Sequence, residues 1–242
     1  MRVGLSLPEL IPDDVLEGSS VVANMAMNRE RQLTGVNSYE RELGFDAAEA
    51  SQGLLSRQGD VTSVVAWLDL CCGRGNALVD AAHRLAEPVE AGRIALVGLD
   101  LVDHFDPEVR TTAGLSVIVG SVTTWEPDRL FDLITCVHGL HYVGDKLGAI
   151  TRIARWLRPN GRCIASFDLA GFRWEDGSPA GRSIGAALRD RGFEIDTRRH
   201  LISLTGGQDV TLPFKYLGAD PNNGPNYTGQ PDVASFYARA GA

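Results

Sequence analysis

The sequence predicts an α/β fold: a seven-stranded, mostly parallel sheet with an antiparallel hairpin at one edge and a helical cap ahead of the first strand. Three observations lead there. Apolar runs of strand length recur along the chain, as expected of strands buried on both faces. Segments with apolar residues at helical spacing separate them. The last two strand-like runs have only the short turn "TGGQ" between them, which requires an antiparallel pair.

The elements follow in order. Residues 1–18 carry early prolines and acids and read as an irregular arm. Ser19 or Ser20 can cap a helix through "VVANMAMNRERQL", ended by Gly35. Asn37 with Glu40, and Asp46 with Glu49, have capping-box spacing, so further helices follow. Residues 1–60 therefore form the cap and residues 61–242 the main domain. Strands are expected at 64–70, 94–100, 115–121, 131–140, 162–169, 194–204 and 209–217. Helices are expected at 76–92, 143–161 and 178–193, the second stopped by Pro159, Asn160 and Gly161. "DPNNGPNYTGQPD" (220–232) reads as a surface loop.

Composition narrows the function. With 242 residues the chain suits one α/β domain with a modest insertion. Its net charge of −8 argues against nucleic acid as a main partner, because phosphate binding needs a basic face. The sequence shows neither a secretory signal nor a membrane span, so a cytoplasmic location is expected, with no membrane partner. Cys71, Cys72, Cys136 and Cys163 lie in or beside apolar runs and read as buried reduced thiols. No C-x-x-C pair exists, and no metal site is expected.

The stretch "VVAWLDLCCGRGNALVD" carries the main functional signal. It reads as a strand, a tight turn through Gly73 and Gly75, and a helix start. Glycines let a backbone approach a ligand closely, and helix amides then point at it. A dinucleotide fingerprint needs a third glycine where Leu78 stands. Asp69 at the strand end disfavours a pyrophosphate and suits a ligand with a positive amine or sulfonium.

"LDLCCGRG" resembles the first motif of class I S-adenosylmethionine-dependent methyltransferases, acid-x-G-x-G-x-G, with Cys71 in place of the first glycine. "IALVGLD", "VGSV", "FDLITCVHGLHYV" and "LRPNGRCIASF" resemble later motifs, so the likeness spans roughly residues 60–205. It implies a Rossmann-like fold, S-adenosylmethionine as cofactor and methyl transfer to a small-molecule acceptor, with specialised metabolism as a setting. The implied cofactor contacts are Asp69, Cys71, Gly73, Gly75, Asp100, Leu101, Ser121, Val122 and His138. Asp100 matches the acid that takes both ribose hydroxyls. Ser121 stands where the family usually has an acid against adenine.

The segment after the fourth strand offers His138 and His141 as candidate bases and Tyr142 as a pocket wall. His83 and His200 read as structural. In the cap, Asn28, Arg29, Arg31, Asn37, Tyr39 and Arg41 form a polar face, and Tyr39 and Arg41 are the candidates for ligand contact. Tyr227 and Phe236 read as packing or pocket residues. Two rival readings stand beside this one. The first is a non-catalytic cofactor-binding scaffold. The second is an NAD(P)-dependent oxidoreductase, from the spacing of Tyr142 and Lys146, which Gly144 interrupts. The sequence is also compatible with a homodimer.

Overall fold

The computed structural model describes residues 7–23, 31–57, 60, 62–86 and 92–240. The strands in chain order are β1 (Val65–Leu70), β2 (Ile94–Asp100), β3 (Leu115–Val119), β4 (Phe131–Cys136), β5 (Leu157–Ser166), β6 (Phe172–Trp174), β7 (Glu194–Asp196), β8 (Leu201–Thr205), β9 (Phe214–Asp220) and β10 (Ala234–Arg239). The helices are α1 (Asp13–Glu17), α2 (Tyr39–Leu43), α3 (Ala47–Arg57), α4 (Asn76–Arg84), α5 (Lys146–Trp156) and α6 (Gly181–Arg189).

The main sheet has seven strands in the order β3-β2-β1-β4-β5-β8-β7. Strands β1 to β5 run parallel, and β8 is antiparallel to both β5 and β7. This is the expected Rossmann-like sheet with an antiparallel edge. All six residues of β1 and of β4 are buried, which explains why both read as unbroken apolar runs. Helix α4 packs with Trp67, Leu96 and Val109 in one apolar layer. Helix α5 packs with Leu68, Ile134 and Phe193 in the other. The chain therefore leaves β1 and β4, which are neighbours, toward opposite faces of the sheet. A cleft forms at their carboxyl ends for that reason.

The edge differs from expectation in its parts. The expected strand 194–204 is two strands. The Asp196 carboxylate accepts from the amides of Arg198 and Arg199, turns the chain, and His200 completes the reversal with φ 52°. So β7 and β8 form the edge pair. The expected strand 209–217 shifts to β9 and leaves the main sheet. It joins β6 and β10 in a second sheet of order β6-β10-β9. Neither β6 nor β10 was expected, because three residues and six residues after a Pro/Gly-rich loop carry no readable period.

The expected helix 143–161 ends at Trp156, and β5 starts at once with Leu157 extended. Pro159 explains this, since the residue before a proline avoids the helical region. In the arm, Pro12, Asp13 and Asp14 start α1, with two acids in its first turn where the helix dipole favours them. Of the expected helix 21–33, residues 24–30 lie outside the described residues, and its described ends, 21–23 and 31–33, are not helical. Ser38, not Asn37, caps α2 by accepting from the Arg41 amide. Asp46 accepts from the amides of Ala48 and Glu49 at the start of α3, as its spacing predicts.

Candidate functional site

The turn after β1 forms one wall of the cleft. Cys71, Gly73 and Gly75 have φ of 55°, 60° and 83°, so three of five consecutive residues are left-handed. A side chain at Gly75 would put its Cβ 2.8 Å from Val109 Cγ2. Cys71 holds a conformation that costs a residue with a Cβ about 1–2 kcal/mol, and glycine is free of that cost. Asp100, ending β2, braces this turn. Its Oδ2 accepts from the Gly73 amide at 2.7 Å and its Oδ1 from the Val102 amide at 3.2 Å. Burial raises the Asp100 carboxyl above its ordinary range, against the pull of those two amides.

Asp69 lies beneath the cleft rather than in its wall. It is fully buried, and Oδ1 accepts from Thr135 at 2.6 Å and Oδ2 from Tyr39 at 2.7 Å. Trp67 Nε1 donates to the same Thr135 oxygen. Burial pushes the Asp69 carboxyl up to about 7, with the Thr135 and Tyr39 hydroxyls acting the other way. Asp69 thus reaches the cleft only through Tyr39, which lines it.

At the other end, Ser121 follows β3 and donates to Glu17 Oε1. Thr123 Oγ1 lies 3.2 Å from the same oxygen. Glu17 arrives from α1, more than a hundred residues earlier in the chain, and lines the cleft with Ser121 and Val122. An acid therefore does stand at this end, contributed by the amino-terminal arm. A lone Glu in an irregular arm gave no sequence signal for it.

His138 lines the cleft between these ends. It follows β4 with φ 60°, and its Nε2 is 3.1 Å from Glu42 Oε2 on α2. Burial lowers its pKa, against the pull of Glu42. His141 is 1% exposed and does not line the cleft. Its Nδ1 is 3.6 Å from the buried Asp232. The two rings stack with centroids 5.9 Å apart, His138 in the cleft lining and His141 buried behind it.

Of the other expected residues, Leu101, Tyr39 and Tyr142 line the cleft. Arg41 does not; it donates to the Val36 carbonyl on an exposed surface. Arg31 lines it, and Asn28 and Arg29 lie outside the described residues. Tyr142 and Lys146 share no functional face. The Lys146 ammonium is buried and donates to the Val233 carbonyl and to Ser235, clamping β10. Phe236 is buried in β10, and His83 is exposed beside Glu108. Thr228 and Gln230, in the Pro/Gly-rich loop beside Tyr227, line the cleft. Among the described residues, no helix is long and apolar enough to cross a membrane.

Residues 41–198 match a family model described as a methyltransferase domain. No curated protein sequence matches the chain. Among solved structures, it is similar to an S-adenosylmethionine-dependent methyltransferase from Clostridium acetobutylicum, at 20% identity and TM-score 0.35, over 48% of each chain. It is similar to the N-methyltransferase NodS from Bradyrhizobium japonicum at 16% identity and TM-score 0.41, over 70% of this chain and 96% of that one. It is also similar to the CMeT domain of the citrinin polyketide synthase, at 16% identity and TM-score 0.48, over 67% of this chain and 52% of that one. The chain spans about half the length of the first of these structures.

Proposed function

The chain belongs to the methyltransferase domain family, and from that premise we propose that it binds S-adenosylmethionine in the cleft and methylates a small-molecule acceptor. One observation carries this most directly: the left-handed turn of Cys71, Gly73 and Gly75 is closed by Asp100, whose oxygens remain on the cleft wall.

The residues fit that cofactor. The turn lets backbone approach the amino-acid part of the ligand closely. Each Asp100 oxygen takes one amide and has a lone pair left for a ribose hydroxyl. Leu101 and Val122 offer apolar surface to a flat base, and Glu17 with Ser121 offers acceptors for its amino group. When bound, the cofactor supplies an electrophilic methyl group on a sulfonium.

His138 is the base in this reading. Its lowered pKa keeps it neutral at pH 7, so it can take a proton from an acceptor hydroxyl or ammonium. Tyr39 and Tyr142 wall the cleft, which excludes water and aligns the acceptor. Residues 1–60 act as a lid: α1 brings Glu17, and α2 brings Tyr39 and Glu42. A cytoplasmic location, no nucleic-acid partner and compatibility with a homodimer complete the proposal.

The test is ligand choice. S-adenosylhomocysteine should raise the melting temperature, since a ligand that binds only the native state stabilises it. NAD and NADP should leave it unchanged. Calorimetry showing nucleotide binding and no S-adenosylhomocysteine binding refutes the reading.

A further inference from the structure

Among the described residues, Cys71, His138 and His200 have positive φ without being glycine. Backbone strain of this kind persists where surrounding structure over-determines it, and it concentrates at functional sites. Cys71 belongs to the cofactor turn. The other two converge on one aromatic cluster. The Tyr227 ring lies flat against His200, centroids 3.8 Å apart and planes 7° apart. His200 Nδ1 is 3.8 Å from Asp168. The Tyr227 hydroxyl is 3.5 Å from His138 Nδ1, and His141 meets the Tyr227 ring edge-on at 5.4 Å.

Three distant segments therefore meet at one imidazole: α2 through Glu42, the end of β4 through His138 itself, and the loop after β9 through Tyr227. Each ring nitrogen of His138 faces one polar group. Glu42 Oε2, an acceptor, stands 3.1 Å from Nε2, at ion-pair distance but outside hydrogen-bond geometry. The Tyr227 hydroxyl, able to donate or accept, stands 3.5 Å from Nδ1. Burial holds that phenol protonated, with its pKa pushed up to about 12.

We propose that Glu42 and Tyr227 are positioning residues that fix His138 as the Nε2–H tautomer and leave Nδ1 as the proton-accepting atom. This rests on the methyltransferase reading for its purpose, not for its geometry. The Tyr227 hydroxyl holds the place that an acceptor O–H or N–H takes in turnover. In turnover the acceptor's oxygen or nitrogen would give its proton to Nδ1; the electron pair left on it would form the new bond to the methyl carbon while the carbon–sulfur bond breaks and its pair stays on sulfur. Glu42 stabilises the resulting imidazolium through Nε2–H. His200 fixes the Tyr227 ring by stacking on it.

The charged groups around His138 set the signs. Glu42 raises its pKa, while Arg31 and His141 lower it. Asp232 faces His141 on the far side and not His138. Removing Glu42 must lower the His138 pKa. Removing the Tyr227 hydroxyl withdraws a donor from the neutral ring and must raise it.

The experiment is nitrogen-detected NMR of the full chain labelled with ¹⁵N-histidine, titrated with pH in the presence of S-adenosylhomocysteine. Wild type should show His138 protonated at Nε2 and not at Nδ1 in the neutral form. Glu42→Gln should lower the His138 pKa by about one unit, and Glu42→Asp should restore part of it. Tyr227→Phe should raise it by about 0.3 unit. Shifts of opposite sign are what a merely structural pair does not give. An Nδ1–H tautomer, or variants that leave the His138 titration unmoved, overturns the proposal. Tyr227 sits on a half-exposed loop, so its Phe variant keeps the test decisive where the Glu42 variants do not fold. If S-adenosylhomocysteine does not bind, the methyltransferase reading fails, while the tautomer and the two shifts still decide this one.

Discussion

Tyr39 donates its hydroxyl proton to Asp69 Oδ2 at 2.7 Å, across the boundary between the amino-terminal helices and the first strand of the sheet. Both groups are buried, so this bond ties α2 to the floor of the cleft in a place water does not reach. Thr135, Asp69 and Tyr39 form a chain from β4 through β1 to the cap. Asp69 acts on the cleft by holding Tyr39 in its wall.

Asp69 should give the protein a pH-dependent stability. Its carboxyl is raised from the ordinary range to about 7. Between about pH 4 and pH 7 the folded chain keeps a proton that the unfolded chain has released. Stability therefore falls as pH rises through that window, by at most about 1.4 kcal/mol per pH unit. Asp69→Asn keeps the shape and removes the charge. Urea unfolding from pH 5 to pH 8 should show wild type losing stability relative to Asp69→Asn as pH rises. Parallel curves for the two proteins would rule this out.

Asp100→Ala should weaken S-adenosylhomocysteine binding at least tenfold. It removes a charged acceptor, worth roughly 1.5–3 kcal/mol per bond. It also releases the Gly73 and Val102 amides, which loosens the left-handed turn. Calorimetry gives the dissociation constant and circular dichroism checks the fold. An unchanged constant would exclude Asp100 as a ligand.

The sheet was legible because β1 and β4 are buried on both faces and so announce themselves as apolar runs. The edge was not, since Asp196 and His200 turn the chain through a polar stretch where period carries no information. The turn of Gly73 and Gly75 and the acid Asp100 stand together at the cleft, as the resemblance implied. Glu17 and Glu42 escaped notice because each acts through a long-range contact, Glu17 at Ser121 and Glu42 at His138, from short elements of the amino-terminal region. Tyr227 was legible as a packing or pocket residue, and its meeting with His138 depends on the fold. The three-residue spacing of His138 and His141 does bring their rings together, stacked 5.9 Å apart, but of the two only His138 lines the cleft, which spacing alone does not tell.

Glu17→Gln should erase a preference for adenine. Its carboxylate accepts from Ser121 and Thr123 at the end of the cleft where the base is proposed to lie. Wild type should bind S-adenosylhomocysteine more tightly than its inosine analogue, which lacks the amino group, by about tenfold. In Glu17→Gln the two should bind within about twofold. A preserved preference would show that α1 does not read the base.

His138 and His141 should separate cleanly. A positioned base contributes typically 10²–10⁴-fold, so His138→Ala should lower kcat within that range and change S-adenosylhomocysteine affinity by less than about threefold. The wild-type kcat/KM should rise with pH through a value below 6.5 and then level off, because His138 acts unprotonated and burial lowers its pKa. In His138→Ala that limb should vanish. His141 is sealed against Asp232 and away from the cleft wall. Its Ala variant leaves Asp232 Oδ1 without the imidazole while Asn223 still donates to Oδ2, which should cost about 1–3 kcal/mol of stability. Once folded, His141→Ala should keep kcat within about fivefold of wild type. Turnover measured with isotopically labelled methyl donor, alongside melting temperatures, distinguishes the two. A His141→Ala protein that melts normally and has lost its turnover would move the base from His138 to His141.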